Sequence, residues 1–217
     1  MKDMAFYYPD KEPIKDKDTF IDFYSKCYLM KNNAFVEAQI EAILKKGKDN
    51  LSEEDIFLIL AWKIGKIKRK ESSAETGVVY HKGWSQEDLR AKIYKESLSK
   101  EYFSCIKKSM LEIEGEQLKD YIDKLKNINH LGPVYVITLR YFAMGGKYPI
   151  YDRFAYKGAL AILENKEIGD SVTERNVSFN NIDNIYNQYL KMLKSIFKEK
   201  YNERKVDQAL WCYGHMF

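Results

Sequence analysis

The chain has 217 residues, of which 45% are hydrophobic and 31% charged, and its 36 basic and 32 acidic side chains leave a net charge of +4. These proportions exclude disordered and collagen-like classes and allow one sizeable core or two small ones. No window reaches the roughly 18 apolar residues of a membrane span, and Met1 to Asp10 lacks a basic region followed by an apolar run, so the expectation is a cytoplasmic protein with no membrane segment.

Four prolines and 11 glycines punctuate the chain, and apolar residues recur at spacings of three and four, which predicts an all-α protein. A first helical region runs from Asp18 to Lys46, with Phe20, Phe23, Tyr24, Cys27, Phe35, Ile40, Ile43 and Leu44 as core candidates, and stops at Gly47. Ser52, followed by Glu53, Glu54 and Asp55, opens the next helix, which Ile56, Ile59, Leu60, Trp62, Ile64 and Ile67 continue. Its end is a basic cluster, Lys63, Lys66, Lys68, Arg69 and Lys70, which carries most of the positive excess. Residues 51–110 hold 12 basic and 9 acidic groups, whereas 1–50 and 111–165 each balance. A cluster of this kind is either a solvated helix end complementing the dipole or a phosphate-contacting patch. From Glu71 to Trp84 the pattern breaks, with Gly77-Val78-Val79-Tyr80 as a short extended piece. Helices follow over about 86–98, 100–112, 115–128, 133–144, 153–164, 181–200 and 203–213. No linker divides the chain into separate domains, so residues 1–217 read as one helical unit. Such a unit can place its two ends in one lobe and its middle helices in another.

Cys27, Cys105 and Cys212 lie far apart without a Cys-x-x-Cys pair and read as reduced packing residues. His81, His130 and His215 lack ligand spacing, so no metal is expected. No phosphate-binding glycine loop or nucleophile elbow is present, and no cofactor is implied.

The informative stretch is 115–164. A helix bearing Leu118, Tyr121, Ile122 and Leu125 ends in a turn at Asn129 to Gly132, and a second helix begins with Pro133 at its first position, where the missing N–H costs nothing. The first N–H groups of that helix favour a phosphate oxygen. Gly145-Gly146 then turns the chain sharply, and Tyr148-Pro149-Ile150-Tyr151 runs extended into Asp152, placed to cap the helix from Arg153 to Glu164.

These residues resemble the helix–hairpin–helix DNA glycosylases of the endonuclease III and 8-oxoguanine glycosylase superfamily. Gly132 precedes Asp152 by twenty residues, which fits the family's spacing between the last hairpin glycine and its essential Asp. The closing segment, Val206 to Gly214, looks like the C-terminal helix of short bacterial proteins with the 8-oxoguanine glycosylase fold. There are two departures. His130 stands where the hairpin has a glycine, and Val134 stands where bifunctional members carry the lysine nucleophile.

The resemblance implies a DNA N-glycosylase that removes a damaged or modified base by monofunctional hydrolysis. Asp152 is then the catalytic group, and Lys147 and Lys157 are alternative amines if a lyase step survives. The DNA would be a duplex with its target base flipped out, held by His130, Gly132, Val134, Lys147, Arg153, Lys66, Lys68 and Arg69. Tyr135, Tyr151, Trp211 and Phe217 are candidates for the base pocket. Each candidate also has a structural role open to it: Asp152 as a cap, His130 as a turn residue, the lysines as solvated charges and the aromatics as packing. A different class of function stands beside the enzyme, namely a nucleic-acid-binding module that retains the fold without the chemistry; a third reading is a helical interaction protein.

Overall fold

The computed structural model describes residues 4–32, 34–63, 67–69, 78–80, 96–172 and 177–216. Ile64, Lys66, His81, Phe217 and the first ten residues of the helix expected over 86–98 lie outside them, as do the side chains of Phe35, Lys68 and Arg69. The regular elements among the described residues are helices apart from one pair of three-residue strands and an isolated bridge, so the fold class is all-α. By its contacts the chain divides into two units, residues 1–31 with 146–217, and residues 32–145.

The first unit contains α1 (Lys17–Lys31), α7 (Arg153–Glu164), α8 (Ile182–Phe197) and α9 (Arg204–Met216). Its core is aromatic. The Phe20 ring lies 5.0 Å from Tyr24 and 5.2 Å from Tyr213, and Tyr189 lies 5.6 Å from Tyr151 and 6.1 Å from Tyr156, mostly tilted or edge-on. α9 packs on both α7 and α1. Two glycines allow its close approach to α7: a Cβ on Gly158 would stand 2.7 Å from the Leu210 carbonyl oxygen, and one on Gly214 would overlap the Phe154 carbonyl. Ahead of α1, Tyr7 pairs with Pro13 around Lys11 (φ 70°), and Tyr24 donates its hydroxyl to the Tyr7 carbonyl at 2.7 Å. The same loop is tied to the end of α7 by Tyr7 Oη to Asn165 Oδ1 (3.1 Å) and by Lys11 to Glu167 (2.8 Å).

The second unit contains α2 (Ala34–Leu44), α3 (Glu53–Lys63), the strands β1 (Ile67–Arg69) and β2 (Val78–Tyr80), α4 (Glu96–Leu111), α5 (Leu118–Leu125) and α6 (Pro133–Ala143). Ser52 caps α3 reciprocally, its Oγ accepting from Asp55 N (3.1 Å) while Asp55 Oδ2 accepts from Ser52 N (2.8 Å), and Lys46 Nζ reaches the same carboxylate at 2.8 Å. Arg140, 3% exposed, donates through Nε to the Glu116 carbonyl at 2.8 Å, which ties α6 to the residue two before α5.

Three expectations are corrected. The first helical region is two helices, the first ending at Lys31 and the second starting at Ala34, with asparagines, which as a residue type favour turns over helix interiors, in the sequence between them. α3 stops at Lys63, and Ile67-Lys68-Arg69 is a strand paired antiparallel with Val78-Val79-Tyr80, with Ile67 opposite Tyr80 and Arg69 opposite Val78. Lys68 and Arg69 therefore stand on a ribbon and not at a helix end: the β-branched valines supply a partner strand, and pairing wins over helix continuation. Finally, Cys105 is exposed on α4, whereas Cys27 is half-buried and Cys212 buried; all three are free.

Candidate functional site

The hairpin belongs to the second unit. α5 starts with a capping box, Gln117 N donating to Asp120 Oδ2 at 2.9 Å, and buries Leu118, Tyr121, Ile122 and Leu125. It ends at Leu125, three residues earlier than its apolar pattern suggests, so residues 126–132 make the connection. Ile128 N donates to the Leu125 carbonyl (3.0 Å) and Leu131 N to the Ile128 carbonyl (3.2 Å), folding the connection onto itself. Leu131 anchors it at 2% exposure, while Asn129 and His130 are exposed. His130 has φ 66°, the left-handed region that favours glycine.

Gly132 is the N-cap of α6 with extended backbone (φ −72°, ψ 165°), and Pro133 follows at the first helical position. A Cβ on Gly132 would meet only the Tyr135 ring, at 3.8 Å, an ordinary contact. The position that needs glycine is thus 130. Val134 and Tyr135 are half-buried in the first turn of α6, so His130, Gly132, Val134 and Tyr135 share one end of one hairpin.

Asp152 belongs to the first unit. It is extended (φ −133°, ψ 139°) and caps α7, its Oδ1 accepting from Phe154 N at 2.9 Å. Arg153 is exposed and lies over the Phe154 ring at 4.9 Å. Lys147 is exposed on the loop before Asp152; its carbonyl accepts from Asn202 and its Nζ stands 5.6 Å from the Tyr148 ring centre. Lys157 is 4% exposed and Tyr151 2%, the latter within the aromatic core, so neither presents its side chain to solvent.

α9 completes the surroundings of Asp152 with Trp211, a base-pocket candidate of the sequence, and with His215, which sequence reasoning did not assign to the site. His215 stacks on Phe154 with centroids 3.5 Å apart and an interplanar angle of 29°, and the Trp211 ring lies 3.9 Å away, tilted by 43°. His215 Nδ1 lies 2.8 Å from the Trp211 carbonyl oxygen. A carbonyl only accepts, so Nδ1 carries the proton and, in the neutral ring, Nε2 holds the lone pair. Desolvation between the rings lowers the His215 pKa from its ordinary 6.5, and Lys31 and Arg153 add to this; the Trp211 carbonyl and Asp152 work the other way and do not overcome it. Trp211 also meets Tyr28 edge-on at 5.2 Å, and Arg204 donates to the Tyr28 hydroxyl at 3.0 Å while pairing with Asp207.

In the aromatic core of the same unit the Tyr189 hydroxyl is fully buried and finds no hydrogen-bond partner among the described residues. Burial first, then the charges of Asp207 and Asp152, push its pKa well above the ordinary value. Tyr189 therefore stays a neutral phenol.

Of the residues picked out by sequence, Asp152, Arg153 and Trp211 come together in the first unit around His215 and Phe154. The hairpin residues gather in the second unit, where Lys68 and Arg69 lie on β1. No local signal marks His215, because its place depends on the crossing of α7 and α9 at Gly158 and Gly214. Among the described residues no group of three His, Cys, Asp or Glu side chains is placed to hold a metal ion, and no helix is long and apolar enough to cross a membrane. No family model matches the chain, and no curated protein or solved structure matches it either.

Proposed function

We propose that the chain is a helix–hairpin–helix DNA glycosylase-like protein that releases a damaged or modified base from duplex DNA by hydrolysing its N-glycosidic bond. The observation that carries the reading is the left-handed backbone at His130, in an exposed turn between two helices and two residues before the N-cap Gly132. The hairpin of the resembling family has its glycine at that position, so the backbone that glycine serves is present here with a histidine on it. An exposed turn of this kind gives a phosphate close approach to the backbone, while the first turn of α6, capped by a residue with no side chain, adds the favourable end of a helix dipole.

Asp152 supplies the chemistry. Its cap to Phe154 N holds one carboxylate oxygen, leaving the group oriented to stabilise positive charge on the sugar as the base departs. Position 134 is valine and the Lys157 amine is buried, so of the two alternative amines the exposed Lys147 is the one a Schiff base would need, and direct hydrolysis is the reading kept. Arg153 and Lys147, both exposed, supply charge for the phosphates, so binding weakens as salt is raised.

The test is incubation of the protein with end-labelled duplexes carrying a panel of damaged and modified bases, followed by hot alkali. Alkali-dependent nicks are expected with the native chain and a loss of at least about 100-fold with Asp152→Asn. Nicks that need no alkali would restore the lyase step. No product, with salt-dependent binding retained, would make the chain a non-catalytic nucleic-acid-binding module.

A further inference from the structure

The aromatic stack beside Asp152 does more than pack. Three observations bear on it: the His215 ring lies against both Phe154 and Trp211, its Nδ1–H is spent on the Trp211 carbonyl, and the residue is nevertheless exposed, unlike its neighbours Cys212, Tyr213 and Gly214. A histidine that only filled space would not need its tautomer fixed. Here the proton is held on the inner nitrogen, so the outer nitrogen is a base.

We propose that His215 is the proton acceptor of the Asp152 site, its Nε2 taking the proton of the water that attacks the sugar. This rests on the glycosylase reading above. In the step, the water oxygen bonds to C1′ as the C1′–N bond breaks and the bonding pair leaves on the nitrogen of the base. One water proton passes to Nε2 and the other stays on the new hydroxyl, and the imidazolium then returns its proton to solvent or to the departed base. Asp152 and His215 thereby divide the labour, the carboxylate facing the cationic sugar and the imidazole facing the water.

The groups around the imidazole agree with that role. α7 contributes Asp152 and Arg153, the end of α1 contributes Lys31, and α9 itself contributes the Trp211 carbonyl. The two cations and the desolvating rings keep the ring neutral near pH 7, which a proton acceptor requires, and Asp152 stabilises the imidazolium once it forms. The register that brings α9 to α7 is set by Gly158 and Gly214, the latter adjacent to His215.

The experiment has two readouts on the full chain. The first is imidazole nitrogen NMR between pH 5 and 8. The expected result is a neutral ring protonated on Nδ1, with a midpoint below 6.5 that falls further in Asp152→Asn, because the carboxylate raises it. A ring protonated on Nε2, or a midpoint that Asp152→Asn leaves in place, overturns the proposal. The second is the pH profile of single-turnover base excision. The native rate is expected to fall on the acid side of the same midpoint. His215→Gln, and His215→Phe, which keeps the ring stack, should both lose about 100-fold together with that acid limb, while duplex binding is retained. Full activity in His215→Phe would make the residue a packing element and overturn the proposal alone. No excision by the native chain would overturn the glycosylase reading and the role of His215 with it.

Discussion

His130 holds a left-handed backbone (φ 66°) that costs a non-glycine residue about 1 kcal/mol or more. Replacing it therefore tests the turn. His130→Gly is expected to raise stability by up to about 1 kcal/mol, and the β-branched His130→Val to lower it by about 1–2 kcal/mol, read as shifts of the urea midpoint at unchanged slope. Equal behaviour of the two variants would mean that the turn relaxes to another conformation. At this scale the candidate site was partly legible. Asp152 and Pro133 announce themselves because a cap and a first-turn proline are local events, decided within three residues. The strain at His130 was not legible, since nothing in the turn Asn129-His130-Leu131-Gly132 says which of its members takes positive φ; Gly132, the natural candidate, sits at −72°.

Elements stand or fall on their ends and their crossings. α3 begins in the reciprocal cap between Ser52 and Asp55, reinforced by Lys46. Burial works to raise the Asp55 pKa, and the bonds from Lys46 and Ser52 outweigh it, so the folded value lies below the ordinary 3.8. A depressed folded pKa stabilises the protein at pH values above the unfolded pKa and loses that contribution as pH falls through the folded one. Asp55→Asn is accordingly expected to lower stability by about 1–2 kcal/mol at pH 7, with the gap from the native chain closing below about pH 4. Urea unfolding at pH 7 and at pH 3 checks this.

The crossing of α7 and α9 makes a steric prediction. Gly214→Ala drives a methyl into the Phe154 carbonyl, and a loss of about 1–3 kcal/mol is expected, read as a lowered melting temperature. The same variant should pull His215 off Phe154. Helix starts at 53, 133 and 153 could be read from capping chemistry. The pairing of Ile67-Lys68-Arg69 with Val78-Val79-Tyr80 could not, because a helix's apolar spacing runs straight into β1 and only the partner strand decides against it.

On the scale of the whole molecule, the all-α class followed from periodicity and sparse breakers, but packing is a property of residues far apart in the chain. The first unit joins residues 1–31 to 146–217, so Phe20 and Tyr24 of α1 meet Tyr213 of α9 across nearly the full sequence. A chain beginning at Asn32 lacks that half of the aromatic core. Its amides in 153–164, 182–197 and 204–216 are expected to lose hydrogen-exchange protection, while those in 118–125 and 133–143, in the contiguous unit, keep theirs. Uniform loss of protection would mean that the two units unfold as one.

This joining of distant segments sets a timetable for synthesis. α1 is made ahead of residues 32–145, yet Tyr213 and Trp211, whose rings meet Phe20, Tyr24 and Tyr28, belong to a helix made after those 114 residues. At about 5–20 residues per second, that interval lasts roughly 6–23 s. Throughout it the intervening unit has time to fold first, while α1 waits without the partner rings of the last helix, an aromatic stretch exposed to the contacts a chaperone prevents.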